Sequence, residues 1–487
     1  MPAVDPSKQR RFALKVVREL RAAGFEAYWA GGCVRDQLLQ RTPKDYDVAT
    51  NALPPEIRDL FGPRRTVAVG AAFGVITVLG PRGAGQIEVA TFRRDAAYRD
   101  GRHPDHVTFS DARQDALRRD FTINGLFFDP VDQRVIDFVG GQEDLASRRI
   151  RAIGDPRDRF QEDKLRLLRA VRFAATFDFA LEAATREAIR SMAAEILVVS
   201  AERIAAEMRR MLADPHRVTA VHLLLETGLA AAVLPEIVPA DEAQRRRLDQ
   251  TLAAMERLED PSFPLALAAL LHRHVDAAAA QEIGKRWRLS NKEIQRVGWL
   301  VEHRAALAGA RSTRWSALQK ILIAEGAEEL LALSEAVALA AGADTGDIAW
   351  CRSRLQQPRE ALDPPPLLTG DDLLRHGVPA GPAYRVLLER VRDAQLDGVV
   401  HTRAEAFALV DRLLADAESG EGGGERREMD KKTKNKIHTV QQRLQKLRQQ
   451  LAGAKKQKDE AGETAALEKQ VAEAEAELAK LRGKEGE

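Results

Sequence analysis

The sequence predicts an α+β protein in which a domain with a mixed β-sheet precedes a long all-helical region. Strand patterns are confined to about the first 150 residues. After about residue 158, apolar residues recur with helical spacing, and the good helix formers Ala, Leu and Arg predominate. Near the C-terminus, apolar residues recur every three and four positions, which is typical of a coiled coil.

The elements of the first domain follow from short apolar or alternating stretches and from the helical segments between them. Strands are expected at 26–30, 46–49, 75–79 and 87–92, and a hairpin at 127–128 and 135–139. Helices are expected at about 7–23, 34–40, 55–61 and 114–125.

Composition marks two boundaries in the second half of the chain. A proline cluster after residue 357 ends one helical region, and the Gly- and Glu-rich segment 418–430 predicts a flexible linker. Residues 431–487 then predict a helical hairpin or coiled coil. Its first arm, 431–458, holds ten Lys and Arg residues and no acid, so it suits either RNA phosphates or a solvated face. Self-association of this tail is a further possibility.

Overall composition limits the class of protein. A chain of 487 residues is long enough for roughly two to four domains. The formal net charge of +2 does not by itself indicate a nucleic-acid binder. Two widely separated cysteines exclude a disulfide framework and predict a reducing, cytoplasmic location. No run of eighteen apolar residues occurs, so we expect no membrane span.

The stretch Tyr28–Thr50 carries the first candidate site. Gly31 and Gly32 form a turn between a predicted strand and a predicted helix, where backbone N–H groups can approach a triphosphate. Arg35 adds a positive charge in the first turn of that helix. The alternatives are a plain tight turn and a surface ion pair between Arg35 and Asp36. The pattern predicts a nucleotide-binding turn.

Two aspartates follow on the next predicted strand. Asp45 and Asp47 are two residues apart, so both carboxylates point to the same side of a strand. Such a pair can hold two Mg²⁺ ions, which bind substrate phosphates and promote in-line displacement. Glu88 lies on another predicted strand and is either a third metal ligand or a solvent-facing residue. We therefore predict Asp45 and Asp47 as catalytic, metal-binding residues.

A third group of polar residues lies in the sequence RRDFTIN at 118–124. An arginine here can hold phosphate or ribose. Asn124 either binds the ribose or caps a turn.

Four ordered motifs now point to a known family. The sequences GGCVRDQLL, TPKDYDVAT, RRDFTINGL and EDKLRLLRAVRFA resemble the class II tRNA nucleotidyltransferase and bacterial poly(A) polymerase family. The resemblance covers residues up to about 415. It implies a nucleotidyltransferase (polymerase beta-like) head at 1–152, a neck with a base-selecting helix at 153–200, a helical body at 201–357 and a tRNA-binding tail at 358–417. The functional residues that it implies are metal-binding Asp45 and Asp47, triphosphate-binding Gly32 and Arg35, nucleotide-binding Arg119, and base-selecting Asp163, Arg166, Arg169 and Arg172.

The base-selecting pair has a physical explanation. If Asp163 and Arg166 lie three apart on one helix, they are neighbours on its surface. A carboxylate accepts hydrogen bonds and a guanidinium donates them. Cytosine and adenine each present an amino donor beside a ring-nitrogen acceptor, whereas guanine and uracil present the reverse order. One such pair can therefore accept C and A without a template. The alternative is a surface salt bridge.

The resemblance implies addition of C and A nucleotides from CTP and ATP to the 3′ end of tRNA, with Mg²⁺ as cofactor. Residues 93–109 resemble the loop of enzymes that add the terminal A, which disfavours a CC-only enzyme. The sequence TVAVGAAFGVITV lacks the Arg-rich motif of poly(A) polymerases, which favours tRNA as acceptor. An A-only enzyme, a poly(A) polymerase and a non-catalytic RNA-binding scaffold remain as alternatives.

Overall fold

The computed structural model describes residues 4–95, 107–419 and the single residue 470. The described residues form two compact units, one of residues 4–95, 107–313 and 321–357, the other of residues 314–320 and 358–419. The predicted linker and coiled coil lie outside the described residues, apart from 418–419 and 470. The predicted division into head, neck, body, tail, linker and coiled coil stays a prediction.

The first unit contains a seven-stranded mixed sheet with the order β3-β4-β5-β2-β1-β8-β9. Its strands are β1 (Ala27–Ala30), β2 (Asp47–Thr50), β3 (Thr66–Val67), β4 (Val75–Leu79), β5 (Gln86–Thr91), β8 (Phe127–Asp129) and β9 (Arg134–Ile136). Short strands outside it are β6 (Arg93–Asp95), β7 (Val107–Phe109), β10 (Arg149–Ile150) and β11 (Ala180–Leu181). The predicted strands and the hairpin are confirmed to within a few residues. Strands β2 and β5 are parallel, and the other pairings within this sheet are antiparallel.

One face of this sheet is covered and the other bears polar residues. Helix α1 (Pro6–Ala22) begins after Asp5, whose side chain accepts hydrogen bonds from two backbone N–H groups of the first turn. Its apolar side packs against the sheet. On β5, Ile87 and Val89 are buried while Glu88 is exposed, as expected for residues that alternate between two faces. The face with Glu88 is therefore free to carry a site.

The remaining head helices are short, and the rest of the first unit is largely helical. The helices of this unit up to Leu212 are α2 (Gly32–Leu38), α3 (Pro54–Phe61), α4 (Ala112–Leu117), α5 (Gly141–Ala146), α6 (Pro156–Glu162), α7 (Leu165–Phe177), α8 (Ala183–Met192) and α9 (Ala201–Leu212). Those that follow are α10 (Arg217–Glu226), α11 (Leu229–Val233), α12 (Glu242–Glu256), α13 (Phe263–Leu271), α14 (Ala277–Arg286), α15 (Asn291–His303), α16 (Trp315–Leu322, shared with the second unit), α17 (Ala327–Ala340) and α18 (Gly346–Leu355).

Among the described residues after 158, a single strand departs from the all-helical prediction. Strand β11 pairs in parallel with β10, so a strand from the predicted neck joins a strand from the predicted head. The two strands are two residues long, which is too short for an alternating pattern to be visible in the sequence.

Besides residues 315–320 of α16, the second unit is built from α19 (Arg359–Leu362), α20 (Gly370–Arg375), α21 (Ala383–Leu396) and α22 (Arg403–Ser419). Leu373, Leu387, Val391 and Val410 belong to its buried core. In α20, the N-cap Thr369 and Asp372 form a reciprocal capping box. Among the residues that the structure describes, no helix has the length and apolar character needed to cross a membrane.

Candidate active site

A cavity of about 510 Å³ in the first unit brings nearly all of the predicted site residues together. We call it the nucleotide cavity. It is lined by Gly31, Gly32, Arg35, Asp47, Arg118, Arg119, Asp120, Asn124, Asp163, Arg166, Arg169, Arg172, Phe173 and Arg210. Seven arginines thus face three aspartates, a balance that suits a polyanion. Of the predicted residues, only Asp45 and the optional Glu88 are not among the lining residues.

Strand pairing places the glycine turn beside the metal-binding candidates. Ala30, the last residue of β1, lies opposite Asp47, the first residue of β2. Gly31 follows with φ 70°, a left-handed conformation that favours glycine. A Cβ atom on Gly31 would lie 2.8 Å from Nη1 of Arg119. The backbone N–H of Gly31 donates to the carbonyl oxygen of Leu126 at 3.1 Å, so this N–H already has a partner within the protein.

Arg35 is fixed by several contacts. Its Nη1 donates to Oδ1 of Asn124 at 2.6 Å, and its Nε and Nη2 donate to Oδ1 of Asp36 at 2.9 and 2.7 Å. Its guanidinium also lies over the ring of Phe177, 4.5 Å from the centroid. The ion pair with Asp36 that the sequence allowed is therefore present, and the buried Arg35 still lines the cavity.

The carboxylates at the start of β2 lie in a negative environment. Burial raises the pKa of Asp47 to about 7, assisted by the charges of Asp45 and Glu88 and opposed by Arg119. Asp45 is exposed in the loop before β2, and Glu88 on β5 lies directly opposite Asp47 in the sheet. A divalent cation would relieve the repulsion between these carboxylates, and Mg²⁺ needs only one or two protein carboxylates when substrate phosphates supply further ligands, so Asp45 and Asp47 fit Mg²⁺. Across residues 4–95 and 107–419, no group of three or more His, Cys, Asp or Glu side chains is close enough to hold a metal ion.

Arg118 and Arg119 are held by one buried acid. Both donate to the carboxylate of Asp115 on α4, Arg118 at 2.7 Å and Arg119 at 3.0 Å. Burial alone would raise the pKa of Asp115, but the two arginines outweigh it and lower this pKa. Arg119 also donates from Nη1 to the carbonyl oxygen of Asn124 at 3.2 Å. Its guanidinium is thus fixed next to the Gly31 turn.

Asp120 connects the RRDFTIN segment to helix α7, although it was not among the predicted site residues. Its Oδ2 accepts from Nε and Nη2 of Arg169 at 2.9 and 2.7 Å, and its Oδ1 accepts from Nδ2 of Asn124 at 3.0 Å. Burial raises the pKa of Asp120, but Arg169 and Asn124 together lower it to about 2. In the sequence, its position directly after Arg118 and Arg119 could have identified it as a site residue.

The predicted helical adjacency of Asp163 and Arg166 is wrong. Helix α6 ends at Glu162 and α7 begins at Leu165, so Asp163 lies between two helices in an extended conformation with φ −145°. Its Oδ1 accepts from the N–H of Leu165 at 3.0 Å, and its Oδ2 accepts from Nη2 of Arg203 at 2.7 Å. A short carboxylate can end a helix in this way because it competes for backbone N–H groups. Both Asp163 and Arg166 nevertheless line the nucleotide cavity.

Glu162 takes the place next to Arg166 that the prediction gave to Asp163. Nη1 of Arg166 donates to Oε2 of Glu162 at 2.5 Å and to the carbonyl oxygen of Arg159 at 2.9 Å. Sequence reasoning missed Glu162, although its spacing of four from Arg166 is a known signal for ion pairs.

Glu207 on α9 is a second acid that sequence reasoning missed. Its side chain is only 2% exposed, and it accepts from Nε of Arg172 at 2.5 Å and from Nη1 of Arg210 at 2.7 Å. The guanidinium of Arg172 also lies 4.0 Å from the ring centroid of Phe173. One buried carboxylate therefore holds two arginines in the cavity wall.

Comparison with known proteins agrees with the motif resemblance. The family described as poly A polymerase head domain matches residues 27–151, and the probable RNA and SrmB-binding site of polymerase A matches residues 178–240. A CCA-adding enzyme of Lactobacillus johnsonii is 34% identical over 403 residues, which is 81% of this chain and 95% of that one. A CCA-adding enzyme of Geobacillus kaustophilus is also 34% identical, over 81% of this chain and 94% of that one.

A solved structure extends the likeness to three dimensions. The crystal structure of the Bacillus stearothermophilus CCA-adding enzyme in complex with CTP superposes with a TM-score of 0.67 at 29% identity. The superposition covers 84% of this chain and 99% of that one. The predicted α+β fold and the predicted kinship are thereby confirmed, and the chain belongs to the CCA-adding enzyme family of nucleotidyltransferases.

Proposed function

We propose that this enzyme adds C and A nucleotides from CTP and ATP to the 3′ end of tRNA without a nucleic-acid template. The observation that carries the proposal is the nucleotide cavity, in which the Gly31 turn, Asp47, Asp163 and Arg166 face one space. The named activity of the relatives and the CTP complex of the neighbouring structure support it. A solved Thermotoga maritima CCA-adding enzyme carries tRNA, but at 21% identity that likeness supports the fold alone.

Different residues of the nucleotide cavity are assigned to different parts of the substrate. Arg35 and Arg119 present fixed guanidiniums to the triphosphate beside the Gly31–Gly32 turn. Arg169, Arg172 and Asn124 line the rest of the nucleotide cavity. The acceptor 3′ oxygen forms a bond to the α-phosphorus while the bond from that phosphorus to the pyrophosphate oxygen breaks, and pyrophosphate leaves.

Asp45 and Asp47 would hold Mg²⁺, and substrate phosphates rather than Glu88 would supply further ligands. When bound, Mg²⁺ supplies positive charge to the triphosphate and to the attacking oxygen. The raised pKa of Asp47 supports this assignment, because burial and the charges of Asp45 and Glu88 outweigh Arg119 and leave a carboxylate that a cation would stabilise.

Base selection is assigned to Asp163 and Arg166 despite their different placement. Each oxygen of the Asp163 carboxylate accepts one hydrogen bond within the protein and can accept another. Arg166 keeps N–H groups beyond those that Glu162 and the carbonyl oxygens engage. The Asp163 carboxylate can thus accept a hydrogen bond from the amino group of C or A. Arg166 can donate one to the neighbouring ring nitrogen of the same base.

The cellular location that we propose is the cytoplasm. Cys33 and Cys351 are both buried and unpaired, which suits a reducing compartment. Burial raises their pKa values to about 12 and about 11, so both thiols are unreactive.

One assay tests the proposed function. Transcripts of tRNA that lack CCA, CA or A, together with oligo(A), are incubated with CTP, ATP or both. Incorporation that stops at CCA supports the proposal. Addition of A alone supports an A-only enzyme, and long A tails on oligo(A) support a poly(A) polymerase. No incorporation on any acceptor supports the RNA-binding scaffold.

A paired substitution tests the metal assignment. Asp45→Ala should lower incorporation by about 100-fold or more, because charge stabilisation at the reacting phosphate is lost. Binding of tRNA should remain near the wild-type level. Asp59→Ala is the matched control, because Asp59 is an exposed acid of the same domain outside the cavity. Retained activity in Asp45→Ala would refute the assignment.

A further inference from the structure

A cavity of about 670 Å³ lies between helix α1 and the turn that joins β4 to β5, and we call it the Phe12 cavity. Its walls come from α1, from Arg65, from the end of β4 and from the turn that follows. None of its lining residues lines the nucleotide cavity, so the two are separate candidate sites. Its volume is within the range of roughly 300–1,000 Å³ that is typical of small-molecule sites.

The charged lining of the Phe12 cavity is entirely positive. Four cationic side chains and no carboxylate line it, namely Lys8, Arg11, Lys15 and Arg65. The first three lie at positions i, i+3 and i+7 of α1, and therefore on one side of that helix. Like charges at such spacings destabilise a helix. An anion bound among them would remove this repulsion.

Most of this charge has no partner within the protein. In the part of the chain that the structure describes, no carboxylate lies at ion-pair distance from Lys8, Arg11 or Arg65. Nζ of Lys15 lies 3.6 Å from Oε1 of Glu19, but exposed pairs of this kind contribute little. All four cations are exposed, so they are accessible to an anionic ligand.

The Phe12 cavity also has an apolar part. Phe12 and Ala84 are buried, whereas Leu79 and Pro81 are exposed although they line the cavity. An inorganic anion would engage the cations and leave this apolar surface in water. A ligand that joins negative charge to an apolar body would cover it and gain hydrophobic stabilisation. The lining therefore suits an organic anion.

Backbone hydrogen bonds hold the walls of the Phe12 cavity together. The N–H of Asp5 donates to the carbonyl oxygen of Gly83, and the N–H of Gly80 donates to that of Gly85, both at 2.9 Å. A Cβ atom on Gly80 would lie 2.8 Å from Cδ1 of Phe12, so the turn packs closely on α1. The carboxylate of Asp5 caps α1 and does not line the cavity. Because the cavity is preformed, a ligand loses little free energy in ordering it.

We propose that the Phe12 cavity binds an organic phosphate, and that soluble nucleotides are the ligands of this class. Three cations without carboxylate partners match the charge of a nucleoside triphosphate, and the apolar part matches its base. Because the cavity shares no lining residue with the nucleotide cavity, the nucleotide bound here is not the one that reacts.

Binding of GTP and UTP to the full-length protein tests this proposal. Arg11→Ala and Arg65→Ala should each weaken binding about tenfold, the size expected for one charged contact. Each nucleotide should also raise the melting temperature of the wild type more than that of either variant. Arg18→Ala is the matched control, because Arg18 is an exposed arginine of α1 outside the cavity, and it should behave like the wild type.

A substitution in the apolar part supplies a second test. Leu79→Asp places a carboxylate where the phosphates would bind and should weaken GTP binding by about 100-fold. Leu60→Asp is its control, because both leucines are 38% exposed and Leu60 lies outside the cavity. If Leu79→Asp lowers the melting temperature, the two arginine variants still decide the proposal.

The remaining outcomes identify a different site or a different ligand. Nucleotide binding that is kept in Arg11→Ala and Arg65→Ala but lost in Arg119→Ala would overturn the proposal and place GTP in the nucleotide cavity. Absence of binding for both GTP and UTP would overturn it as well. Inorganic triphosphate that binds as tightly as GTP would exclude an organic ligand.

Vesicles distinguish a lipid from a soluble nucleotide. The wild type should not bind phosphatidylglycerol vesicles more tightly than phosphatidylcholine vesicles. A preference for phosphatidylglycerol that Arg11→Ala removes, without binding of GTP or UTP, would assign the Phe12 cavity to a membrane lipid and overturn the proposal. A wild type that incorporates neither CTP nor ATP refutes the proposed function, whereas the comparison of GTP binding still decides this inference.

Discussion

Replacing Asp120 by Asn removes one charge from the centre of the site while keeping the shape of the side chain. Asp120 is buried and accepts two hydrogen bonds from Arg169 and one from Asn124. It joins the loop after α4 to the long helix α7. We expect Asp120→Asn to destabilise the first unit, because the guanidinium of Arg169 loses its main counter-charge.

The pKa of Asp120 sets the magnitude. A decrease from 3.8 to about 2 corresponds to about 2 kcal/mol of stability at neutral pH. Because the pKa is lower in the folded state, this contribution is present above pH 4 and is lost as the pH falls through about 2. About half of it should remain at pH 3.

Urea unfolding of the wild type and Asp120→Asn at pH 7 and pH 3 tests this reasoning. The difference in unfolding free energy should be about 2 kcal/mol at pH 7 and about half as large at pH 3. Asp59→Asn is the control, because Asp59 is exposed, and it should not differ from the wild type at either pH. A difference of equal size at both pH values would show that the charge of Asp120 is not the cause.

Three further predictions concern nucleotide choice, backbone strain and the C-terminal region. Arg166→Ala should allow GTP and UTP to be incorporated alongside CTP and ATP, and Glu162→Gln should do so more weakly, because Glu162 orients Arg166; unchanged base selection in both would contradict the assignment. Gly31→Ala should raise the KM for CTP, because the new Cβ would lie 2.8 Å from Nη1 of Arg119 and φ is 70°; a wild-type KM would count against this. Deleting 420–487 should leave CTP incorporation unchanged, because the nucleotide cavity is lined by residues between Gly31 and Arg210. Comparing the mass in solution and the tRNA affinity of the shortened and full-length proteins would then show whether the deleted part mediates self-association or RNA binding.

Much of the head could be predicted because its signals are local. The strand Val75–Leu79 and the turn at Gly31 were visible as an apolar run and a glycine pair. The pair Asp45 and Asp47 was visible as two aspartates two residues apart, but the expected placement of both on one strand is wrong, because β2 begins at Asp47 and Asp45 lies in the loop before it. The very short strands β10 and β11 left no such pattern, so their pairing across about thirty residues was not foreseen.

The partners of the site arginines could not be predicted. Arg169 pairs with Asp120, which is 49 residues away, and Arg172 pairs with Glu207, which is 35 residues away. A single sequence holds no local pattern for such contacts, because they depend on how helices pack. The Asp163–Arg166 prediction failed for a related reason: a continuous helix was assumed where Asp163 instead binds the N–H of Leu165.

The sequence by itself determined the fold class, the kinship with nucleotidyltransferases and most of the residues that line the nucleotide cavity. These properties depend on residue types and on short spacings between them, and both can be read from the sequence of the unfolded chain. Only the tertiary structure decided which acid holds which arginine, and that a second positively charged cavity lies between α1 and the turn after β4. Charge pairing and cavity shape arise from residues distant in sequence, so they exist only once α7 and α9 pack together, α7 meets the loop that holds Asp120, and α1 packs against the sheet.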